Sequence, residues 1–496
     1  MEGILKQYIK GANPYMPLWE HVPDGEPRVF EYKGEKRVYV YGSHDTERNQ
    51  YCGRDYVVWS APCTDLTDWR CDGVAFETYR DILYAPDVVK KGDTYYMYIA
   101  MHKGMEIWVA ESKSPAGPFE NPRKTDFGFD IGVLVDDDGR CYAYWGFKKC
   151  YAAEINDDMA TIKEGTLVTN MIPHCGYRDN LWDTENIDDE FSYFEAASIR
   201  KVFGKYVFIY SKRDMKGDPE QGRDPSCNAY LDYAYSDSPL SGWVHGGTLI
   251  ANTGEVITNW DGKKYRAYKK SNNHGSIAEI NGQWYVFYHR GTGSGSDYAR
   301  QAMLEPIEAA MGKNGELYLG RIKYDRFGDP CGCTEVEMTS QGAHVNGLNA
   351  YDIISAGYAC YIDPSYGNDP VYIKPVYDKN NPSAPVVGLR MRSTVGFKYI
   401  DFGDEPPTHM FVRIKGSRAT MRVCTGSADN LDSIVEVYTP ETGDFKWVGA
   451  RMMFDVTGKQ KLFFEIVSYG ECEFDAFTFT RYKDMPGDWP SYGRPF

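Results

Sequence analysis

Four acidic residues stand where a solvated carboxylate is hard to explain. Asp24 in HVPDGEPRVF, Asp87 in LYAPDVV, Asp130 in GFDIGVLV and Glu195 in FSYFEAASIRKV each lie beside or inside an apolar or aromatic run. Burying a charge in such a run is costly unless the charge is paired or used. Glycoside hydrolysis uses carboxyls in this way: one protonates the leaving oxygen, and a second, across the sugar, activates water or attacks. The chain holds 71 acidic residues, so residue type alone selects no pair, and the elements that carry the four must be identified. A carboxylate capping a turn is the plainer reading of any single one, and for Asp87 it is the preferred one.

Those elements repeat. A turn followed by a strand dense in Tyr, Trp and Phe occurs at YKGEKRVYVYGS (32–43), KKGDTYYMYIA (90–100), DDDGRCYAYWG (136–146), VFGKYVFIYS (202–211) and INGQWYVFYH (280–289). Glycine at a turn before an aromatic strand is a hairpin signal. The spacing between copies leaves room for about four strands each, the size of one propeller blade. A second motif, with Ser, Pro and a closing aromatic in WSAPCTDLTDW, ESKSPAGPFE and YSDSPLSGWV, reads as the outer turns of successive blades. Helical periodicity is nearly absent. The fold expected is all-β, a five-bladed β-propeller over residues 1–320, with the four acids in equivalent places near its axis. A linker over 321–345, a β-sandwich over 346–482 built from short alternating strands such as GFKYIDFG and CEFDAFTFT, and a Gly- and Pro-rich tail over 483–496 complete the expected order.

Bulk properties exclude some functions. A net charge of -16 offers nothing to neutralise a row of phosphates, so neither nucleic acid nor an anionic membrane is an expected partner. The 40 Tyr, 23 Phe and 11 Trp fill a β-rich core and also supply flat platforms for sugars. The start, MEGILKQYIKGANPY, shows no signal-peptide pattern, which leads to an expectation of a cytoplasmic enzyme. Free thiols are expected of the 12 cysteines, because none shows zinc-site spacing.

The motifs together resemble glycoside hydrolase family 43 over roughly residues 13–310. NPYMPLWEHVPDGEPRVF resembles the family's first blade and implies Asp24 as general base. GFDIGVLVDDDGRCYAYWG resembles its third blade and implies that Asp130 orients the acid and raises its pKa through like charge. FEAASIRKVFGKYVFIYS resembles its fourth and implies Glu195 as general acid. NNHGSIAEINGQWYVFYH resembles its fifth, with His274 on the axis facing a hydrated calcium ion, although a lone His is more often a core residue. Arg300, in YARQAML, falls where the family has a substrate-contacting Arg. LYAPDVV departs from the family's usual Trp-Ala-Pro-Asp, and Asp87 is left out of the triad. The strand pattern of the last domain resembles carbohydrate-binding module family 6. The resemblance implies an inverting exo-glycosidase acting on small plant-cell-wall pentose oligosaccharides, foremost an α-L-arabinofuranosidase. A β-D-xylosidase or an enzyme with both activities comes next, then an endo-arabinanase, and last a non-catalytic sugar-binding propeller.

Overall fold

The computed structural model describes residues 8–176, 186–258, 262–293, 298–363, 371–380, 383–428 and 430–481; the tail expected over 483–496 lies outside them. Four four-stranded antiparallel sheets follow one another along the chain, and a five-stranded sheet comes fifth. Their innermost strands are Glu26–Tyr32, Leu83–Lys91, Gly132–Val135, Tyr193–Val202 and Ser276–Ile280. Each packs against the next and the last against the first, so the five sheets close a ring, the propeller expected from the repeats. The repeated aromatic segments form the second strand of each blade, Glu35–Tyr41, Thr94–Met101, Cys141–Trp145, Lys205–Asp214 and Gln283–Arg290.

The turn chemistry explains the repeat. Lys33–Gly34, Phe203–Gly204 and Asn281–Gly282 join first to second strands with positive φ at both residues, the two-residue hairpin whose twist suits the flanking strands. Ring closure relies on Asn13, whose Nδ2 donates to Leu304 O (2.7 Å) and whose Oδ1 accepts from Leu304 N (3.0 Å). The N-terminal segment is thereby sewn to the third strand of the fifth blade, Gln301–Met311.

The span read as a linker is not free chain. Pro330–Thr334 pairs with Leu317–Tyr324 as the outer edge of the fifth sheet, and Val336 N donates to Leu249 O (2.9 Å). Beyond it, two six-stranded sheets pack face to face as a sandwich, with Phe397, Phe464, Phe474 and Phe477 stacked between them. One apolar core runs from Val207, Leu231 and Ile277 of the propeller to Val395, Phe464 and Phe477 of the sandwich. Among the described residues no helix is long and apolar enough to cross a membrane.

Candidate active site

Three of the acids sit at one end of the innermost strands. Asp24 and Asp130 occupy the turns leading into Glu26–Tyr32 and Gly132–Val135, with φ of 59° and 54°, a left-handed conformation that Asp tolerates better than most residues. Glu195 lies inside Tyr193–Val202, where the pairing register slips on both sides of it and Ala196 takes φ 68°. Such a bulge turns a side chain out of the regular pleat and frees an amide from the ladder. The freed amide is used: Ala196 N donates to Asp130 Oδ2 (3.0 Å), tying the third blade to the fourth beside Glu195.

The site divides its charge unequally. Asp24 is buried, which by itself would raise its pKa. Arg300 Nη1 donates to its Oδ1 (3.0 Å), two histidines stand near it, and Ser43 Oγ donates to its Oδ2 (2.6 Å); together they bring it down to about 2. Glu195 moves the other way, to about 7, through burial first and the negative charge of Asp24 second. Asp130 is raised well above the ordinary carboxylate range by burial, then by Glu195 and Asp24. The like-charge lift on Glu195, expected from Asp130, comes foremost from Asp24. Asp130 accepts from a backbone amide where Asp24 accepts from a guanidinium, which leaves Asp24 as the anion of the cluster.

Arg300, expected as a substrate contact, is 2% exposed and faces inward. Its Nε and Nη2 donate to the two carboxylate oxygens of Asp45 (2.9 Å each), Nη2 also reaches Cys52 Sγ (3.3 Å), and Nη1 holds Asp24. Four of its five N–H groups are engaged within the protein, which makes it a positioning residue for Asp24. Asp45, Ser43 and His289 were not singled out from the sequence. The signal was the polar run Gly-Ser-His-Asp (42–45), placed directly after an aromatic strand. His289 Nδ1 accepts the Asp24 amide N–H (3.1 Å), so this ring carries its proton on Nε2, facing Asn272 Oδ1 at 3.3 Å.

His274 is buried beside the triad, its Nδ1 3.9 Å from Asp24 Oδ1, beyond hydrogen-bond reach. A hydrated calcium ion at this place would have His274 as its ligand from the protein. Among the described residues no three His, Cys, Asp or Glu side chains are grouped to hold a metal, and the charge of Asp24 is already met by Arg300.

Asp87 does not join the others. It is buried deeper in the ring, where Arg28 Nη2 donates to its Oδ2 (2.6 Å), Arg28 Nε to its Oδ1 (3.0 Å) and Val133 N to its Oδ2 (2.8 Å). Arg200 answers from the fourth blade, with Nη2 on Glu26 Oε2 (2.6 Å) and Nε on Ile277 O (3.0 Å). Two ion pairs thus fasten all five innermost strands around the axis, and Asp87 has the structural role preferred for it.

The chain is similar to known glycosidases. A family model described as glycosyl hydrolases family 43 matches residues 25–313, which include all the acids of the site except Asp24. The xylosidase/arabinosidase of Thermoclostridium stercorarium is 32% identical over 437 residues, covering 78% of this chain and 82% of the relative. Xylosidase/arabinosidase 43A of Humicola insolens is 28% identical over 350 residues, covering 59% of this chain and 95% of that protein. A solved glycoside hydrolase family 43 arabinoxylan arabinofuranohydrolase from Bacillus subtilis, in complex with cellotetraose, is 18% identical. That alignment covers 96% of this chain and 99% of the other, with a TM-score of 0.46.

Proposed function

Because the chain belongs to glycosyl hydrolase family 43 and is a glycoside hydrolase, we propose that it is an inverting exo-glycosidase. Its substrates in this reading are small plant-cell-wall pentose oligosaccharides, from which it releases α-L-arabinofuranosyl units. One observation carries the reading: within a single buried cluster Asp24 is held ionised, near 2, while Glu195 is raised to about 7. Opposed protonation states at neutral pH are what a base and an acid acting in one step require.

In this mechanism Asp24 takes a proton from water as the water oxygen bonds to the anomeric carbon. The bond from that carbon to the leaving oxygen breaks on the opposite face, and Glu195 supplies the proton that completes the leaving hydroxyl. Arg300 and Ser43 hold the Asp24 carboxylate in place through the step. Asp130 fixes, through the Ala196 amide, the bulge that carries Glu195.

β-D-Xylosidase activity in the same site is the second reading, favoured by the double name, xylosidase/arabinosidase, of two relatives. Both readings are tested by offering the two p-nitrophenyl pentosides and following the product anomer by NMR. Inversion at the anomeric carbon is expected for whichever is cleaved, and retention defeats the mechanism. Glu195→Gln should lower kcat by about 10²- to 10⁴-fold on oligosaccharides and by much less on the nitrophenyl glycosides, whose leaving group needs no proton. Asp24→Asn should be equally inactive on both.

A further inference from the structure

The strands that hold the base end against the sandwich. In the fifth blade His289 pairs with Ala302 and Arg290 with Gln301, the last two rungs of the ladder between Gln283–Arg290 and Gln301–Met311. Two groups at these rungs keep Asp24 in place: His289 Nδ1 accepts the Asp24 N–H (3.1 Å), and Arg300 Nη1 donates to Asp24 Oδ1 (3.0 Å). Successive side chains on a strand point to opposite faces, so Arg290 turns away from the base that His289 meets. Arg290 is fully buried, and its guanidinium reaches out of the propeller. Nη2 donates to Gly357 O (2.8 Å), Nη1 to Ala359 O and Nε to Gln301 Oε1 (3.3 Å). The guanidinium lies 5.2 Å from the Tyr268 ring, whose hydroxyl donates to Gly291 O (3.0 Å), one residue on from Arg290.

The turn that Arg290 meets is itself fixed. Ser355 Oγ accepts from Gly357 N (3.2 Å), and Ile354–Ser355 pairs with Cys472–Thr480 in the sandwich. Gly357 has no spare room, since a Cβ there would lie 2.8 Å from Ala384 Cβ and 2.9 Å from Leu18 Cδ1. An apolar core already joins the two domains, and a buried charge is a costly means of adhesion. What the planar fork adds is direction, because it must meet two carbonyls and an amide oxygen at once. The rung it fixes is at the end of its ladder, where strands open most readily.

From this arrangement we infer that Arg290 is a positioning residue for the general base, and that the sandwich, through its 357–359 turn, is a working part of the catalytic centre. The inference rests on Asp24 as the base. Arg290 touches neither Asp24 nor the reacting atoms; it holds the rungs from which His289 and Arg300 reach Asp24. Released from the sandwich, the strand ends shift and carry both partners away from the carboxylate. A base displaced by about 1 Å loses about a hundredfold in rate.

The test reads kcat on whichever p-nitrophenyl pentoside is cleaved, where the leaving group needs no proton and the base step is isolated. Arg290→Met should lower kcat by about ten- to a hundredfold with KM within about threefold of wild type, and Arg290→Lys, which keeps a donor to the turn, by less. Gly357→Ala, a change made on the sandwich alone, should lower kcat by about tenfold. Lys398→Met, which weakens the same joint away from the base, should leave kcat within about twofold. A misfolded fraction would also lower kcat, so a double-mutant cycle decides: added to Asp24→Asn, Arg290→Met should cost less than about threefold of the residual rate, because its partner is already gone. Gly357→Ala in the same cycle serves if Arg290→Met does not fold. Equal losses in the wild-type and Asp24→Asn backgrounds overturn the inference, as does full kcat in both Arg290→Met and Gly357→Ala. A fully active Asp24→Asn would overturn the assignment of the base itself, a result that does not depend on Arg290.

Discussion

At the scale of single residues the site works by unequal compensation of burial. Asp24 and Glu195 are both removed from water, yet Asp24 accepts a hydrogen bond from the Arg300 guanidinium, which is aimed by Asp45. Replacing Asp45 with Asn should loosen Arg300 and let burial pull the Asp24 pKa upward. The acid limb of the kcat/KM profile should then move from near 2 to above the ordinary 3.8, while the alkaline limb, set by Glu195 at about 7, stays where it was. Stability follows the same shifts. Glu195 is raised in the folded state from an ordinary 4.5, so its contribution is fully present below about 4.5 and is lost as pH rises through 7. Glu195→Gln should therefore raise the melting temperature at pH 8, by an amount corresponding to at most ~3 kcal/mol, and not at pH 4. Thermal unfolding at the two values checks this, and an equal effect at both would show that burial of charge is not the cause. The identities of the acids were legible in the sequence because apolar flanks make a carboxyl conspicuous. Asp45 was not, because its partner Arg300 lies 255 residues away.

At the scale of elements, position along a strand decides which acids meet. Asp24, Asp130 and Glu195 stand ten, nine and nine residues before the turn glycines Gly34, Gly139 and Gly204, whereas Asp87 stands five before Gly92. A difference of four residues is roughly 13 Å of strand, enough to take Asp87 out of the mouth and down to Arg28. That count is legible in the sequence, since register along a strand is a local property. The bulge at Ala196 was not readable, because nothing in EAAS demands one until Asp130 is present to receive the amide. Close backbone approach matters as much at Gly42, where a Cβ would come within 2.2 Å of Pro23 O, next to Asp24. Gly42→Ala should push the Asp24 turn outward, costing ~1–3 kcal/mol of stability. A shift near 1 Å in the base should lower kcat by about a hundredfold. Melting temperature and kcat measured together check both, and full activity would show that the turn has room to yield.

At the scale of the whole molecule, the ring and the sandwich are joined through apolar and ionic contacts. Their shared core is continuous, and Lys398 of the sandwich, almost fully buried, places Nζ 2.6 Å from Glu255 and 3.2 Å from Glu337 on the propeller side. Lys398→Met should leave Glu255 and Glu337 to the more distant ammonium of Lys461, 3.6 and 3.5 Å away, and cost ~1–3 kcal/mol. Calorimetry should show one unfolding transition for the intact chain, and two separate transitions would mean that the joint is weak. Asp87→Asn should destabilise to a similar degree by leaving Arg28 without its charge partner, with the pH profile of kcat/KM unmoved. The sequence by itself determined the class of element, the number of blades and the identity of the acids, because turn glycines, strand aromatics and apolar flanks are local signals. Only the tertiary structure decided which acid keeps its charge, which are pushed toward their neutral form and which is paired with an arginine on the axis. A pKa is set by burial and by charges a few ångströms away, and here those charges come from blades that are far apart along the chain.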